Sequence, residues 1–203
     1  GSTALIVNTG SSHTAVGFEA LCSNTSANAN TAIGQAAMKS TTTGACNTAN
    51  GVKSLYSNTT GACNVAIGRA ALYENTTGLR NVAVGMNAGD NNTTGSYNTA
   101  SGYRALCSAT TGGYNTAYGR TSMYSNTTGT SNAAFGMHAL HGNTTGTLNT
   151  AVGYASLHCS TTASYDTAVG SCALYANTTG ANNTASGSYA LKLNTTGTNN
   201  TAV

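Results

Sequence analysis

Charge is scarce in this chain. Only 5% of its 203 residues are Asp, Glu, Lys or Arg, against about a quarter in ordinary globular domains. The surface is therefore expected to be neutral and built from amide and hydroxyl groups. Disordered chains combine high net charge with few apolar residues; a net charge of +3 and 39% apolar residues do not fit that class. The cations stand singly, at Lys39, Lys53, Arg69, Arg80, Arg104, Arg120 and Lys192. A nucleic-acid binder gathers such charges on one face, so nucleic acid is not an expected partner. Proline and tryptophan are absent. No apolar run approaches the ~18 residues of a membrane span, and "TALIVNTG" from Thr3 is too short even for a signal-peptide core.

What the chain does have is a repeat. A pentad of the form NTAVG begins at His13, Asn30, Asn47, Asn64, Asn81, Asn98, Asn115, Asn132, Asn149, Asp166, Asn183 and Asn200, each start 17 residues after the last. The unit reads N-T-A-V-G-x-x-A-L-x-x-N-T-T-G-x-x, numbered below as positions 1 to 17. Helical repeats need about 33 residues or more, and Asn, Thr and Gly oppose helix. Two short strands and two tight turns per unit fit better, with glycine taking conformations that a side chain forbids. The expected fold is all-β: a parallel β-solenoid or β-roll of twelve 17-residue coils, a single repeat domain over residues 1–203. Coils paired in parallel at ~4.8 Å would make a rod ~55–60 Å long.

Positions that keep one size are expected inside. Position 3 is Ala in every pentad, position 8 is Ala or Ser, and position 9 is Leu or Met except at Gly89. The core residues are thus Leu21, Leu55, Leu72, Leu106, Leu140, Leu157, Leu174 and Leu191. Asn at position 1 (Asn30, Asn47, Asn64, Asn81, Asn98, Asn115, Asn132 and Asn149) and Asn at position 12 are expected to form ladders, each amide bonding to neighbouring coils. Position 4 is mostly apolar. Strand alternation from position 3 points it outward as a chain–chain interface; a turn that reverses the alternation would bury it instead.

The whole chain resembles the NTAVG…AL…NTTG repeats of phage tail-fibre and bacterial surface proteins. "NVAIG" at Asn64 and "NVAVG" at Asn81 are also similar to the head repeats of trimeric autotransporter adhesins. That resemblance implies trimers of left-handed β-rolls, a location outside the cell or on a virion or cell surface, and a role in attachment.

Other constellations are weighed against this frame. The four carboxylates, Glu19, Glu74, Asp90 and Asp166, are expected in distant coils, beyond the ~10 Å that paired-carboxylate hydrolysis needs. No Ser-His-Asp set accompanies them, so neither an enzyme nor a cofactor is expected. His141 and His158 share position 10 in successive coils and should stack, as members of a ring ladder rather than as metal ligands. Cys46 and Cys63, both at position 17 one coil apart, are a candidate disulfide. The Asn-Thr-Thr and Asn-Thr-Ser triplets match a glycosylation acceptor, but an internal ladder would leave no room for a sugar. Thr rows at positions 13 and 14, Thr162 among them, would face ice if they point outward, or bond turn backbone if they do not.

Read cyclically, the two ends complete one coil. Val203 at position 4 calls for Gly at position 5, and residue 1 is Gly; Ser2 follows, and Ala4-Leu5 fall on the Ala-Leu pair. Uncapped coil edges template further pairing, and contacts that do not close give filaments. The expected joint is Gly1, Ser2, Asn200, Thr201, Ala202 and Val203. The leading expectation is a structural, self-assembling extracellular fibre whose copies stack head to tail. The alternatives are a trimeric tail-fibre or adhesin shaft and an ice-binding solenoid. The partner is the chain itself, head to tail and also lateral or trimeric, with a cell surface, a glycan or ice as a secondary ligand.

Overall fold

The computed structural model describes Ala4, Leu5 and residues 8–203. Each pentad supplies one short strand, from β1 (Thr14–Val16) and β2 (Thr31–Ile33) through to β12 (Thr201–Ala202). All twelve lie in one parallel sheet in chain order. The register never slips: Thr14 faces Thr31 and Ala15 faces Ala32, and the same 17-residue step recurs at every later pair. The described residues contain no helix. The fold is a parallel β-solenoid, as the period predicts.

The coil differs from expectation in one respect: it has one strand, not two. Positions 7, 9 and 17 are left-handed at residues with side chains, as at Lys53 (φ 57°), Leu55 (φ 48°) and Cys63 (φ 58°). Left-handed residues cost of order 1 kcal/mol each and break an extended strand. The coil-to-coil bonding continues regardless, but in alternating directions. The Leu55 N–H donates forward to the Ala71 carbonyl (3.0 Å), while the Lys53 N–H donates back to the Gln35 carbonyl (2.9 Å).

The interior is narrow and filled by small groups plus one larger one per coil. The position 3 alanines from Ala32 to Ala185 are buried, as are Leu21, Leu55, Leu72, Leu106, Leu140, Leu157 and Leu174, with Met38 and Met123 taking the same place in their coils. Leu191 is only partly buried against this core. Each buried Leu contributes about 2 kcal/mol. Gly89 stands where the other coils have Leu or Met, and Leu72 closes over it: its Cδ2 lies 3.0 Å from where a Cβ on Gly89 would be.

At position 5 the backbone of one coil packs directly on the backbone of the next. At Gly102, φ is +135° and a Cβ would lie 2.6 Å from the Gly119 carbonyl oxygen. Both the conformation and the contact exclude a side chain. Gly102→Ala is expected to destabilise the rod by at least ~2 kcal/mol. Thermal unfolding followed by circular dichroism measures this; an unchanged midpoint would contradict the backbone contact between coils.

Candidate functional site: the asparagine ladders and the outward faces

The chemistry of this rod is concentrated in two internal columns of asparagine. At position 1 the side chain replaces a missing backbone acceptor. The Asn47 N–H donates to Asn30 Oδ1 (2.8 Å), and Asn47 Nδ2 donates to the Gly61 carbonyl in its own coil (2.9 Å). Asn64, Asn81, Asn98, Asn115, Asn132 and Asn149 repeat both bonds at 2.8–3.0 Å. All are buried. One amide thus satisfies two turns, which otherwise would bury unpaired backbone groups. At His13 the imidazole stands in for the amide, its Nδ1 accepting from the Asn30 N–H at 3.3 Å.

The position 12 column is linked amide to amide wherever Asn follows Asn. Asn75 Nδ2 donates to Asn58 Oδ1 (2.9 Å), and Asn92 Nδ2 donates to Asn75 Oδ1 (2.8 Å). Each also reaches the position 15 carbonyl of its own turn. These are the glycosylation-like triplets, and burial of Asn24, Asn58, Asn75, Asn92, Asn126, Asn143 and Asn177 leaves no space for a sugar. The column breaks at Thr41, Ala109 and Ser160. At each break the Oδ1 one coil earlier, on Asn24, Asn92 or Asn143, is buried without a partner. An unpaired buried acceptor costs about 1–3 kcal/mol. Ala109→Asn would give Asn92 a donor and Asn126 an acceptor. It is expected to raise stability by ~1–2 kcal/mol, read as a higher denaturant midpoint.

Asp166 interrupts the position 1 column with a carboxyl group. Its Oδ1 accepts from the Asn183 N–H (2.8 Å) and Asn183 Nδ2 (3.2 Å), and its Oδ2 accepts from Asn177 Nδ2 (2.8 Å). Having no amide, it cannot donate to the Gly180 carbonyl, which receives Asn177 Nδ2 alone. Burial pushes the Asp166 carboxyl up to about 6, against the opposing effect of the Asn183 and Asn177 hydrogen bonds. A carboxyl raised on folding favours the folded state while protonated. Its stabilisation is complete below the ordinary carboxyl range and is lost as pH rises through about 6. Asp166→Asn is therefore expected to stabilise the rod by about 2–3 kcal/mol at pH 7–8 and to change little at pH 4. Melting curves of both proteins at the two pH values test this. An equal effect at both would show that folding does not raise the Asp166 carboxyl.

The outward faces carry separate rows. Position 4 points outward, settling the alternation: Val16, Ile33, Ile67, Val84, Tyr118, Phe135, Val152 and Val169 are 37–60% exposed. Tyr124, His141, His158 and Tyr175 at position 10 stack face to face, with centroids 5.3, 5.0 and 5.0 Å apart. His138 lies edge-on to both histidines. Burial lowers the pKa of His141 and His158, and the neighbouring imidazoles add to that. Among the described residues no three His, Cys, Asp or Glu side chains converge as metal ligands do. At position 13 the hydroxyls bond turn backbone, Thr42 Oγ1 to the Thr59 carbonyl (3.2 Å) and onward. At position 14 the threonines, from Thr43 to Thr196, stay exposed.

Two expectations need correction. Cys46 and Cys63 are free, exposed thiols rather than a disulfide. In-register neighbours point their Cα–Cβ bonds the same way, so the Cβ atoms keep the ~4.8 Å coil spacing instead of the ~3.8 Å a disulfide requires. Glu74 and Asp90 are not in distant coils: the Glu74 N–H donates to the Asp90 carbonyl across one coil step (2.9 Å). Burial raises the Asp90 carboxyl, the Asn87 hydrogen bond (2.7 Å) opposes, and the Glu74 charge adds to the rise. Their 16-residue separation was readable as adjacency. Asp90 lines a shallow groove of about 220 Å³ with Lys53, Arg69, Tyr73 and Asn87, below the ~300 Å³ at which ligand pockets usually begin. Its charges are mixed, and no nucleophile and base are paired in it.

Of the expected joint, Gly1 and Ser2 lie outside the described residues. The Asn200 N–H donates to Asn183 Oδ1 (3.0 Å), continuing the column, while Ala202 is partly covered and Thr201 and Val203 are exposed. Comparison with protein-family models, with curated proteins and with solved structures finds no match.

Proposed function

We propose that the chain is a structural, self-assembling protein of an extracellular or surface fibre, whose coils stack end to end beyond a single copy. The observation that carries this reading is the translational identity of the bonds between coils. The position 9 N–H of each coil from Leu21 to Leu174 donates to the following coil, and so does the position 13 N–H from Thr25 to Thr178. The row of position 1 side-chain acceptors runs without a gap from His13 to Asn200, with Asp166 Oδ1 taking the place of an amide oxygen. A coil is therefore the template for the next one, whether that coil continues the same chain or opens another copy. The core polar groups serve this stacking, so the role is mechanical and the chain is read as non-enzymatic.

Negative-stain microscopy tests the proposal. The 203-residue chain is expected to form filaments much longer than the ~55–60 Å rod of one copy, and a bulky polar tag after Val203 is expected to hold it at single-rod length. Discrete short rods from the untagged chain, or tagged chains that elongate as well, would overturn end-to-end stacking. The exposed position 14 threonine row supports a second reading, ice binding. Thermal hysteresis that is lost in Thr94→Asp and Thr128→Asp variants would establish it, and its absence at millimolar protein would remove it.

A further inference from the structure

The exposed positions 4 and 6, at the outward end of each strand and just beyond the glycine that follows it, are apolar over nearly the whole rod, and the two positions compensate for each other. Where position 4 is polar, at Asn50 and Ser101, position 6 is Val52 and Tyr103. Where position 6 is polar, at Gln35, Arg69, Arg120 and Ser171, position 4 is Ile33, Ile67, Tyr118 and Val169. The remaining coils up to Phe135–Met137 and Val152–Tyr154 are apolar at both places. Only the coil with Ser186 and Ser188 lacks an apolar group there. All these apolar side chains are exposed. The Gly at position 5 between the two columns keeps the face low, because its backbone packs directly on the next coil.

Nothing in the coil's own packing requires this pattern, since the core is complete without it. Two properties say what covers the face. First, its apolar groups recur once per coil, at ~4.8 Å. A partner that seats its own groups between them coil by coil needs a matching axial repeat, and a second copy of this chain has it. Second, the size suffices. Ten coils at ~4.8 Å and a width of ~10 Å give roughly 500 Å² per copy, hence about 1,000 Å² for a pair, where specific interfaces begin. Positions 4 and 6 hold no carboxylate, and their only cations are Arg69 and Arg120. The Arg120 guanidinium lies 6.0 Å over the Tyr103 ring, which leaves its stem available to cover apolar surface.

We propose that two copies of this chain pack laterally through the position 4 and 6 face, so that the fibre unit is a pair of rods. This rests on the structural reading above but uses a different surface from the coil ends, and the two can fail separately. The test uses the full chain carrying the C-terminal tag, so that elongation does not obscure pairing. Sedimentation equilibrium is expected to give the mass of two chains, and negative stain a rod of doubled width. Val84→Asp with Phe135→Asp, both on the face, is expected to raise the dissociation constant roughly 100-fold or more. Thr77→Asp with Thr128→Asp, on the position 14 row, is expected to leave pairing unchanged and controls for added charge. Circular dichroism confirms that both variants keep the fold. A tagged wild-type chain that sediments as one copy would overturn the proposal. So would undiminished pairing in the face variant, three-chain complexes, or single rods that float with phosphatidylcholine vesicles, which would hand the face to lipid. Pairing by tagged chains in the absence of long filaments from the untagged protein would keep this proposal and remove end-to-end stacking alone.

Discussion

The rod depends on one bond pattern: an asparagine amide that accepts a backbone N–H from the next coil and donates to a turn carbonyl in its own. A 17-residue coil is too small to bury all its turn groups in secondary structure. Extended strand covers at most three residues of each coil, and the rest must find partners elsewhere. Asn is the residue that carries an acceptor and a donor on one short, flat group, and stacking identical amides lets each satisfy the next. Where the column holds another residue the cost is local and visible. His13 substitutes a ring nitrogen, Asp166 substitutes a carboxyl held up to about 6, and in the position 12 column Ala109 leaves Asn92 Oδ1 without a donor.

This dependence explains why the surface is so free to vary. With the fold fixed by positions 1, 3, 5, 9 and 12, the outward positions carry stacked rings, thiols, hydroxyls or charges without disturbing the register. Half-exposed pairs such as Lys39 and Glu19, 2.8 Å apart, add little to stability. The face at positions 4 and 6 differs from the other outward rows. Its composition changes from coil to coil while its apolar character persists, which is the pattern of a surface that meets a partner.

The period alone made most of the fold legible. Twelve registered pentads place Ala32 over Ala49 and Asn47 over Asn64 without reference to coordinates, and the buried Leu column follows from constant size at position 9. Three things were not legible. Leu55 and Lys53 adopt left-handed backbone, which their side chains disfavour in isolation, so one strand per coil could not be told from two. Cys46 and Cys63 satisfy the Cα spacing of a disulfide, yet the parallel directions of their side chains appear only once the register is in place. Position 6 varies widely down its own column; its relation to position 4 emerges only when Asn50 is set beside Val52 and Arg69 beside Ile67. The adjacency of Glu74 and Asp90, by contrast, was present in the spacing.

Hydrogen exchange at the ladder tests the account most directly. If the amide columns hold the coils together, the backbone N–H groups of Asn64, Asn81 and Asn98, each donating to the Oδ1 of the preceding Asn, exchange only when the rod unfolds. Their side-chain Nδ2 hydrogens are protected alongside them, while exposed side-chain amides such as that of Asn199 exchange freely. Residue-resolved exchange that finds the N–H groups of Asn64, Asn81 and Asn98 opening as fast as an unstructured turn, in a rod whose sheet remains protected, would contradict it.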